Sequence, residues 1–295
     1  MSENKFLIFL GCVTPYRLSS YEISARKVLS KLGVDLVEMP DFNCCGFPMD
    51  PINHELMLTL AARNLCIAEK EGLDILTLCN GCFSILNDAN KVLVEDKELK
   101  EKINGYLKEV GKEFQGTRKV KHLVHVLAED VGFEKIKESV KNPLSNINVA
   151  QHGGCHIVRP VKHVDHGDDP ENPTMLKKLI ELTGAKCLDY MDEPECCGNP
   201  VIGVNEAVPF QMAREKLKHI KAVKAQALIT VCPYCHIMFD LNQPRIERTF
   251  SEKYGIPVLH YTQLLGLAMG LTPEELQLNR LRVKPVELLA QIENK

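Results

Sequence analysis

The sequence has no tryptophan, no surplus of positive charge and no long apolar run. Lys and Arg number 36 against 39 Asp and Glu, and the resulting net charge of −3 excludes the strongly basic balance of many nucleic-acid-binding domains. The early apolar run at residues 6–10 is too short for the core of a signal peptide. No run approaches the roughly 18 apolar residues of a membrane-spanning helix. We therefore expect a cytoplasmic protein with no membrane span and no nucleic-acid partner.

Three cofactor motifs are also missing from the sequence. It has no Cys-x-x-Cys-x-x-Cys-x-x-x-Cys-Pro run, which excludes an ordinary ferredoxin cluster. It has no Gly-x-Gly-x-x-Gly fingerprint after a strand and no phosphate-binding loop of the Walker type. The sequence therefore predicts no flavin, nicotinamide or nucleotide site in this chain, so any electrons that it uses must come from other proteins.

Cysteine is the residue that the sequence has in excess, with twelve in 295 residues. A chain of this length has room for about two domains and buries a large core without covalent cross-links. Disulfide frameworks are typical of small secreted domains, and this chain is neither small nor visibly secreted. We therefore expect its thiols to bind metal or to take part in redox chemistry.

Ten of the cysteines occur in two sets with the same order. Each set has a single cysteine, then Cys-Cys-Gly, then Cys-x-x-Cys. The sets are Cys12, Cys44, Cys45, Cys79 and Cys82, followed by Cys155, Cys196, Cys197, Cys232 and Cys235. The flanking residues repeat too, a third match aligns residues 122–128 with residues 259–265, and a turn-rich stretch lies at residues 141–146. These features predict a tandem duplication with domains at residues 1–145 and 146–295.

Short apolar runs alternate with helical patterns in each half, which predicts the α/β class: two tandem pseudo-symmetric repeats, each a mostly parallel sheet flanked by helices. We expect strands at residues 5–10, 34–39, 147–150 and 186–190 and before Cys79 and Cys232, and helices at residues 21–32, 54–69, 174–182 and 206–225. An extra exposed helix is expected at residues 97–111, and a final helix from Thr272. Ligands bind beyond the carboxyl ends of parallel strands, where we expect the cysteines to converge.

Three kinds of thiol site fit the repeated cysteines at least in part. Structural zinc takes four thiolates and often uses Cys-x-x-Cys, but each set offers five cysteines. A redox pair of the thioredoxin type needs only one Cys-x-x-Cys and leaves three cysteines of each set without a role. Iron–sulfur clusters bind several thiolates, although an ordinary cubane cluster uses four. The residues favour iron–sulfur ligation, with zinc and thiol redox chemistry as alternatives.

The doubled order Cys…Cys-Cys-Gly…Cys-x-x-Cys resembles the cysteine-rich CCG domain family. That family includes heterodisulfide reductases and iron–sulfur subunits of glycolate, lactate and glycerol-3-phosphate oxidoreductases, and two complete copies most resemble its heterodisulfide reductase branch. The resemblance implies two non-cubane 4Fe–4S clusters, each held by one set of five cysteines. It also implies a complex with two partner subunits, one of them ferredoxin-like and the other flavin-containing.

The reaction that this resemblance implies is reduction of the mixed disulfide of coenzyme M and coenzyme B to two thiols. Both ends of that small-molecule substrate are anionic, so positively charged side chains near the motifs are candidate anchors. These candidates are Arg17, Arg159 and Lys162, with His163 and His166 beside the last. Each of them could instead lie in a solvated loop or in an ion pair.

Three histidines next to the second cysteine set are candidate proton donors for a departing thiolate, because histidine titrates near neutral pH. They are His152, His156 and His236, and a purely structural role is the alternative for each. Cys66 lies within a helical pattern and Cys187 within a strand, so we expect both to be buried, inert thiols.

Two other functions stay open from the sequence. The chain could be an electron-transfer subunit of an oxidoreductase that acts on lactate or glycolate or that passes electrons to a quinone. Relatives of that kind usually add a ferredoxin domain or act with a flavin dehydrogenase. The chain could also be a non-enzymatic zinc scaffold, in which case it would hold zinc and no iron.

Overall fold

In the computed structural model, which describes residues 4–160 and 167–293, each half of the chain gathers its short apolar runs into one sheet. The strands next to the centre of each sheet are buried along nearly their whole length, as expected of strands covered by helices on both faces. The strands are β1 (Lys5–Phe9), β2 (Asp35–Val37), β3 (Asp74–Thr77), β4 (Val120–His122), β5 (Asn148–His152), β6 (Lys186–Cys187), β7 (Ala227–Thr230) and β8 (Val258–His260).

The two sheets have the same topology. Their strand orders are β2-β1-β3-β4 and β6-β5-β7-β8, and all neighbouring strands are parallel. The register repeats as well, because Phe9 pairs with Thr77 in the first sheet and His152 pairs with Thr230 in the second. The predicted α/β class and the internal repeat are therefore confirmed. The domain boundary between residues 145 and 146 stays a prediction.

Helices connect the strands and cover the sheets, and those predicted at residues 21–32, 54–69, 174–182 and 206–225 are present with slightly shifted ends. The α-helices are α1 (Thr14–Arg17), α2 (Ser19–Lys31), α3 (His54–Glu71), α4 (Asn80–Glu95), α5 (Lys97–Lys108), α6 (Leu123–His125), α7 (Phe133–Ser139), α8 (Met175–Leu182), α9 (Ala207–Ala222), α10 (Pro233–His236), α11 (Gln243–Phe250), α12 (Tyr261–Ala268) and α13 (Val286–Glu293). Among the described residues, no helix is both long enough and apolar enough to cross a membrane.

Local sequence explains where the helices beside the first sheet begin and end. The Asn53 side chain accepts a hydrogen bond from the Leu56 N–H and so caps the start of α3. Gly72 ends α3 in the left-handed conformation that glycine adopts without strain. Asp96 caps α5 through the Leu99 N–H in the same way as Asn53 caps α3.

The prediction that a final helix starts at Thr272 is wrong. Thr272 and Glu275 do form a reciprocal cap, in which the Glu275 N–H donates to the Thr272 hydroxyl and the Thr272 N–H donates to the Glu275 carboxylate. Only one turn follows, because Gln277 has a left-handed backbone with a φ of 56°. The final helix α13 instead begins at Val286. The cap was recognised correctly, but the sequence did not reveal the turn that ends it.

Three other predictions need smaller corrections. The strand predicted to reach residue 190 ends at Cys187. Helix α5 is an addition to the first half, as expected, but it is not fully exposed, because Ile103 and Leu107 are buried against its neighbours. The third repeated segment is shifted by one residue, since His122 and His260 end β4 and β8 at equivalent positions of the two sheets.

The two halves pack against each other through α2 and α12. Tyr21 in α2 is fully buried, stacks on His260 with 3.7 Å between the ring centroids, and donates its hydroxyl to the Val231 carbonyl. Ser24 and Thr262 share a hydrogen bond of 2.7 Å in the same contact. Apolar residues of both halves belong to one continuous core around these helices. We therefore expect the two repeats to unfold together.

Replacing Tyr21 tests this expectation. Tyr21→Ala should lower the free energy of unfolding by about 3–5 kcal/mol, because it removes a buried ring and leaves a cavity between the halves. Urea-induced unfolding followed by circular dichroism measures the change. Tyr106→Ala is the control, since Tyr106 is 44% exposed and its loss should cost no more than about 0.5 kcal/mol. Two separate transitions in the unmodified protein would contradict the single cooperative unit.

Candidate metal centres

The ten repeated cysteines all follow the carboxyl end of a strand. The single cysteines come after β1 and β5, the Cys-Cys-Gly turns after β2 and β6, and the Cys-x-x-Cys motifs after β3 and β7. Because these strands are parallel neighbours within each sheet, their carboxyl ends lie at one edge. Three separate stretches of each half therefore deliver their thiols to the same place.

The ten thiols form one continuous row of side-chain contacts. Within each set, the single cysteine contacts the Cys-Cys pair, and the pair contacts the Cys-x-x-Cys motif. The row runs in the order Cys12, Cys44, Cys45, Cys82, Cys79, Cys232, Cys235, Cys197, Cys196 and Cys155. The two sets meet where the thiols of Cys79 and Cys232 interact. The row has the same sequence of contacts on both sides of this point, in keeping with the duplicated fold.

One thiol at the same place in each half is favoured as a thiolate. Hydrogen bonds from the Cys12 thiol and from the next residue of the pair lower the pKa of Cys44, and the Gly46 N–H lies 3.5 Å from its sulfur. Hydrogen bonds from the equivalent thiols lower the pKa of Cys196, and the Gly198 N–H lies 3.3 Å from its sulfur. The thiolate is the form that binds metal, so each set contains a thiol whose surroundings favour the metal-binding form.

The glycine of each Cys-Cys-Gly turn has a backbone that other residues rarely adopt. Its φ is 101° at Gly46 and 76° at Gly198. A Cβ atom at Gly198 would also lie 2.8 Å from the Cβ of Pro209, and one at Gly46 would lie 3.0 Å from the Met57 carbonyl oxygen. These turns hold the Cys-Cys pairs against the helices behind them, where only glycine fits.

The row has the chemistry and the spacing of a metal site. All twelve cysteines are free thiols. The sulfurs of Cys155 and Cys196 lie 3.7 Å apart, close to the spacing of about 3.8 Å that two thiolates have on one tetrahedral metal with bonds of about 2.3 Å. Each set supplies one thiol more than the four ligands of structural zinc. The donor set therefore fits a cluster with several iron atoms better than a single zinc ion.

Two cavities lie along the row, and each is lined by all five cysteines of one set. Phe47 and Tyr234 line both cavities, with 6.1 Å between their ring centroids. Phe47 belongs to the first half and contacts His156 of the second half edge-on, at 5.1 Å between centroids. One aromatic side chain from each half thus forms the wall between the two cavities.

The candidate proton donors lie at the second set but differ in their access to solvent. His156 is half-buried, and its Nδ1 is 3.1 Å from the sulfur of Cys155. His152 is fully buried at the end of β5, where burial lowers its pKa to about 3. His236 is buried as well, and its Nε2 lies 3.5 Å from a carboxylate oxygen of Asp240. Proton donation by any of the three stays a prediction.

The two candidate substrate anchors that the structure describes, Arg17 and Arg159, are not among the residues that line the two cysteine cavities. Arg17 is exposed at the last residue of α1. The Arg159 guanidinium donates a hydrogen bond of 2.8 Å to the Pro170 carbonyl and borders a separate cavity. Three other predicted residues lie outside the described part of the chain: Lys162, His163 and His166. Substrate binding by these side chains stays a prediction.

The two remaining cysteines are buried within secondary structure. Cys66 lies in α3, and burial raises the pKa of its thiol to about 11. Cys187 ends β6, and burial raises the pKa of its thiol to about 12. Both thiols therefore stay protonated at neutral pH, which is the state expected of inert cysteines.

Sequence reasoning missed two residues that support the second set. Asn80, the first residue of α4, donates its side-chain N–H to the Gly153 carbonyl at 2.6 Å and its backbone N–H to the sulfur of Cys232. Lys216 is buried in α9 and donates to backbone carbonyls just before the second Cys-Cys pair. The position of Asn80 between two ligand cysteines was an available signal. A lysine within an amphipathic helix gives no comparable signal.

Comparison with protein families gives two matches on this chain. The cysteine-rich domain designated CCG matches residues 6–87 and residues 149–240. These two ranges contain all ten cysteines of the row.

Relatives with names from two kinds of enzyme match over nearly the whole chain. One subunit of the ferredoxin/F420H2-dependent CoB-CoM heterodisulfide reductase of Methanosarcina acetivorans is 39% identical over 98% of this chain and 97% of its own length. The 8-methylmenaquinol:fumarate reductase membrane anchor subunit of Wolinella succinogenes is 33% identical over 94% of this chain and 96% of its own length. The two relatives bear names from different redox reactions, so sequence similarity by itself does not select one reaction for this chain.

A crystal structure of a hypothetical protein from Helicobacter pylori has a similar fold. It matches 96% of this chain with a TM-score of 0.76 and 18% sequence identity. The present chain spans about half of that protein, since it covers 52% of its length. At this identity the similarity concerns the fold alone.

Substitution of the glycine in the second turn should weaken metal binding there. We expect Gly198→Ala to lower the affinity of the second set for metal by about 10- to 100-fold, because the added Cβ displaces the turn that holds the Cys-Cys pair. Iron and sulfide content of anaerobically purified protein measures the loss. Gly203→Ala is the control, since a Cβ at Gly203 would have no atom within 4 Å. Full iron content in Gly198→Ala would contradict the assignment.

Proposed function

The chain belongs to the cysteine-rich CCG domain family, and we propose that it is the catalytic iron–sulfur subunit of a heterodisulfide reductase. In this role it reduces the mixed disulfide of coenzyme M and coenzyme B to two thiols in methanogenesis. The observation that carries the proposal is the presence of two complete five-cysteine sets that meet at Cys79 and Cys232. Relatives from two Methanosarcina species, both named as subunits of CoB-CoM heterodisulfide reductases, support an iron–sulfur, electron-transfer role in a multi-subunit oxidoreductase.

Each set of five thiols would hold one 4Fe–4S cluster, of the non-cubane kind that the family resemblance implies. Two observations support a thiolate cluster at each set: the cysteines line one cavity per set, and the first cysteine of each Cys-Cys pair is favoured as a thiolate. The clusters would supply electrons singly, whereas a disulfide needs two. The two sets together therefore match the electron count of the reaction.

The geometry of the two cavities suits cleavage of an S–S bond. In the reaction the S–S bond breaks, and each sulfur takes up one electron and one proton to become a thiol. The rings of Phe47 and Tyr234 line both cavities, so the two centres would lie side by side and each would take one sulfur of the cleaved bond. A nearly symmetric bond would thus be cleaved in a nearly symmetric site.

Side chains around the row would supply the protons and the substrate contacts. His156 is the best placed proton donor, because its ring nitrogen lies 3.1 Å from the sulfur of Cys155 and its half-buried position allows exchange with solvent. Arg17, Arg159 and Lys162 are the proposed anchors for the anionic ends of the substrate. Arg17 and Arg159 do not line the cysteine cavities, so they would contact the ends of an extended substrate rather than its disulfide bond.

The electrons for this reaction would come from partner proteins. The sequence has no flavin or nucleotide motif and no ordinary ferredoxin motif. We propose that a ferredoxin-like partner is the direct donor and that a flavin-containing partner of the same complex supplies the electrons to it. The chain would then be the terminal member of the electron path, next to the substrate.

The second candidate is a protein that transfers electrons between a quinone or a hydroxy acid and an oxidoreductase. The relative from Wolinella succinogenes, with its name that refers to a menaquinol and to fumarate, is the observation that favours it. The two candidates need the same iron–sulfur chemistry but different substrates. Only the disulfide reaction requires a second centre for the second sulfur.

Loss of one ligand in the second set should abolish disulfide reduction. We expect Cys197→Ser to lower the rate by at least about 100-fold, since even changes next to metal ligands cost about 10- to 100-fold. The measurement is reduction of the mixed disulfide with a chemical electron donor under anaerobic conditions. Cys66→Ser is the matched control, because Cys66 is a buried thiol outside both sets. Unimpaired reduction by Cys197→Ser would contradict the proposal.

Metal content and substrate preference separate the candidate functions. Anaerobically purified protein should contain about eight iron and eight sulfide per chain, the content of two 4Fe–4S clusters. It should reduce the mixed disulfide and leave lactate, glycolate and a menaquinone analogue unchanged. Zinc without iron would support a structural scaffold instead. Turnover of the quinone or of a hydroxy acid, without disulfide reduction, would support the second candidate.

A further inference from the structure

The symmetry of the two sites is broken at the last residue of the central strand. Phe9 ends β1 and pairs with Thr77, whereas His152 ends β5 and pairs with Thr230. The two side chains therefore occupy equivalent positions, three residues before the single cysteine of each half. One site has an apolar ring at this position, and the other has a ring with two nitrogens.

His152 is fully buried and lies beside the second set. A nitrogen of its ring and the sulfurs of Cys197 and Cys235 lie within 4.8 Å of one another. Neither ring nitrogen has a hydrogen bond of good geometry with any described residue, although the backbone of Glu193 faces the ring. A buried polar group without a partner is destabilising. A partner on the cysteine side would remove this penalty.

The equivalent position in the first half has no such requirement. Phe9 is buried in the apolar core and packs edge-on against Phe42, with 5.0 Å between the ring centroids. Its side chain has no polar atom to satisfy. The difference between the two sites is therefore one of chemistry at a matched position, while the cysteine ligands are the same.

A second difference between the two sites also places more positive charge near the second set. Lys216 is only 1% exposed, and its ammonium donates to backbone carbonyls of the segment that faces His152, including that of Glu193 at 3.2 Å. In the first half, the neutral amide of Asn64 donates to the carbonyl of Cys44, at the Cys-Cys pair itself. The second site thus has a buried positive charge behind it as well as a potential N–H donor.

We propose that His152 donates an N–H hydrogen bond to sulfur at the second set and thereby raises the reduction potential of the cluster held there. The inference rests on the proposed function, since it concerns a cluster bound to the second set. Reduction adds one electron to the cluster and makes its sulfurs more negative, so an N–H donor stabilises the reduced state more than the oxidised state. No covalent bond forms or breaks, and the proton stays on the imidazole. Phe9 provides no such donor to the first cluster.

The test replaces the His152 ring by the phenyl ring that the first half has at the equivalent position. In anaerobically purified protein, each cluster is followed by electron paramagnetic resonance during a redox titration. His152→Phe should change the ratio of reduced to oxidised cluster about tenfold at a given potential, which lowers the midpoint of one of the two cluster signals by about 59 mV. The other signal should not move. His152→Gln keeps an N–H donor, so its midpoint should lie close to that of the unmodified protein. Phe9→Leu should leave both midpoints unchanged.

The iron content of each variant separates failure of this inference from failure of the proposed function. Absence of iron from the unmodified protein would overturn both. With full iron content, an unchanged midpoint in His152→Phe, or an equal shift of both signals, would overturn the role of His152 alone. If His152→Gln lowered the midpoint as much as His152→Phe does, the role of His152 as a donor would also be overturned, because altered packing would then explain the effect. If His152→Phe loses iron, the Phe9→His variant provides the test instead. It should raise the midpoint of the other cluster signal. An unchanged midpoint in Phe9→His would contradict the proposal.

Discussion

The rest of this structure depends on one constraint: the fold must bring ten thiols together in one row. Thiolates that bind one centre repel each other, so the backbone must hold them together. The chain meets this requirement with parallel strands, because the ends of three strands in each half lie at one edge of the sheet. Glycine turns then hold the Cys-Cys pairs, and hydrogen bonds from the neighbouring thiols, with a smaller contribution from backbone N–H groups, favour a thiolate at Cys44 and Cys196.

Because the fold is duplicated, the row of thiols has a centre where its two halves meet. The two sets meet at Cys79 and Cys232, and the halves are locked together by the packing of α2 on α12. Near symmetry suits a substrate whose reactive bond joins two sulfurs. The departures from symmetry, at Phe9 and His152 above all, would suit the proposed reaction, in which the two sulfurs of one disulfide come from different thiols and the two centres would differ in their affinity for an electron.

Much of the fold and of the cysteine sites could be predicted from the sequence, because the same pattern occurs in both halves of the chain. The repeat of the cysteine order, the α/β alternation and the strand ends before Cys79 and Cys232 were all visible in local pattern. The contact between the two sets could not be predicted, because it depends on how α2 packs on α12 rather than on any motif. The tail was misplaced at Thr272 for a related reason, since a good cap starts a helix but does not determine its length. Lys216 was missed because its role depends on burial, and an amphipathic pattern does not reveal which lysine is enclosed.

The central claim is that each five-cysteine set holds its own iron–sulfur cluster and that the two lie side by side. Anomalous X-ray diffraction at the iron absorption edge, from crystals of anaerobically purified protein, tests it most directly. The account predicts two separate groups of iron atoms, each surrounded by the five cysteines of one set, on either side of Phe47 and Tyr234. A single iron group, or an anomalous signal at the zinc edge alone, would contradict it.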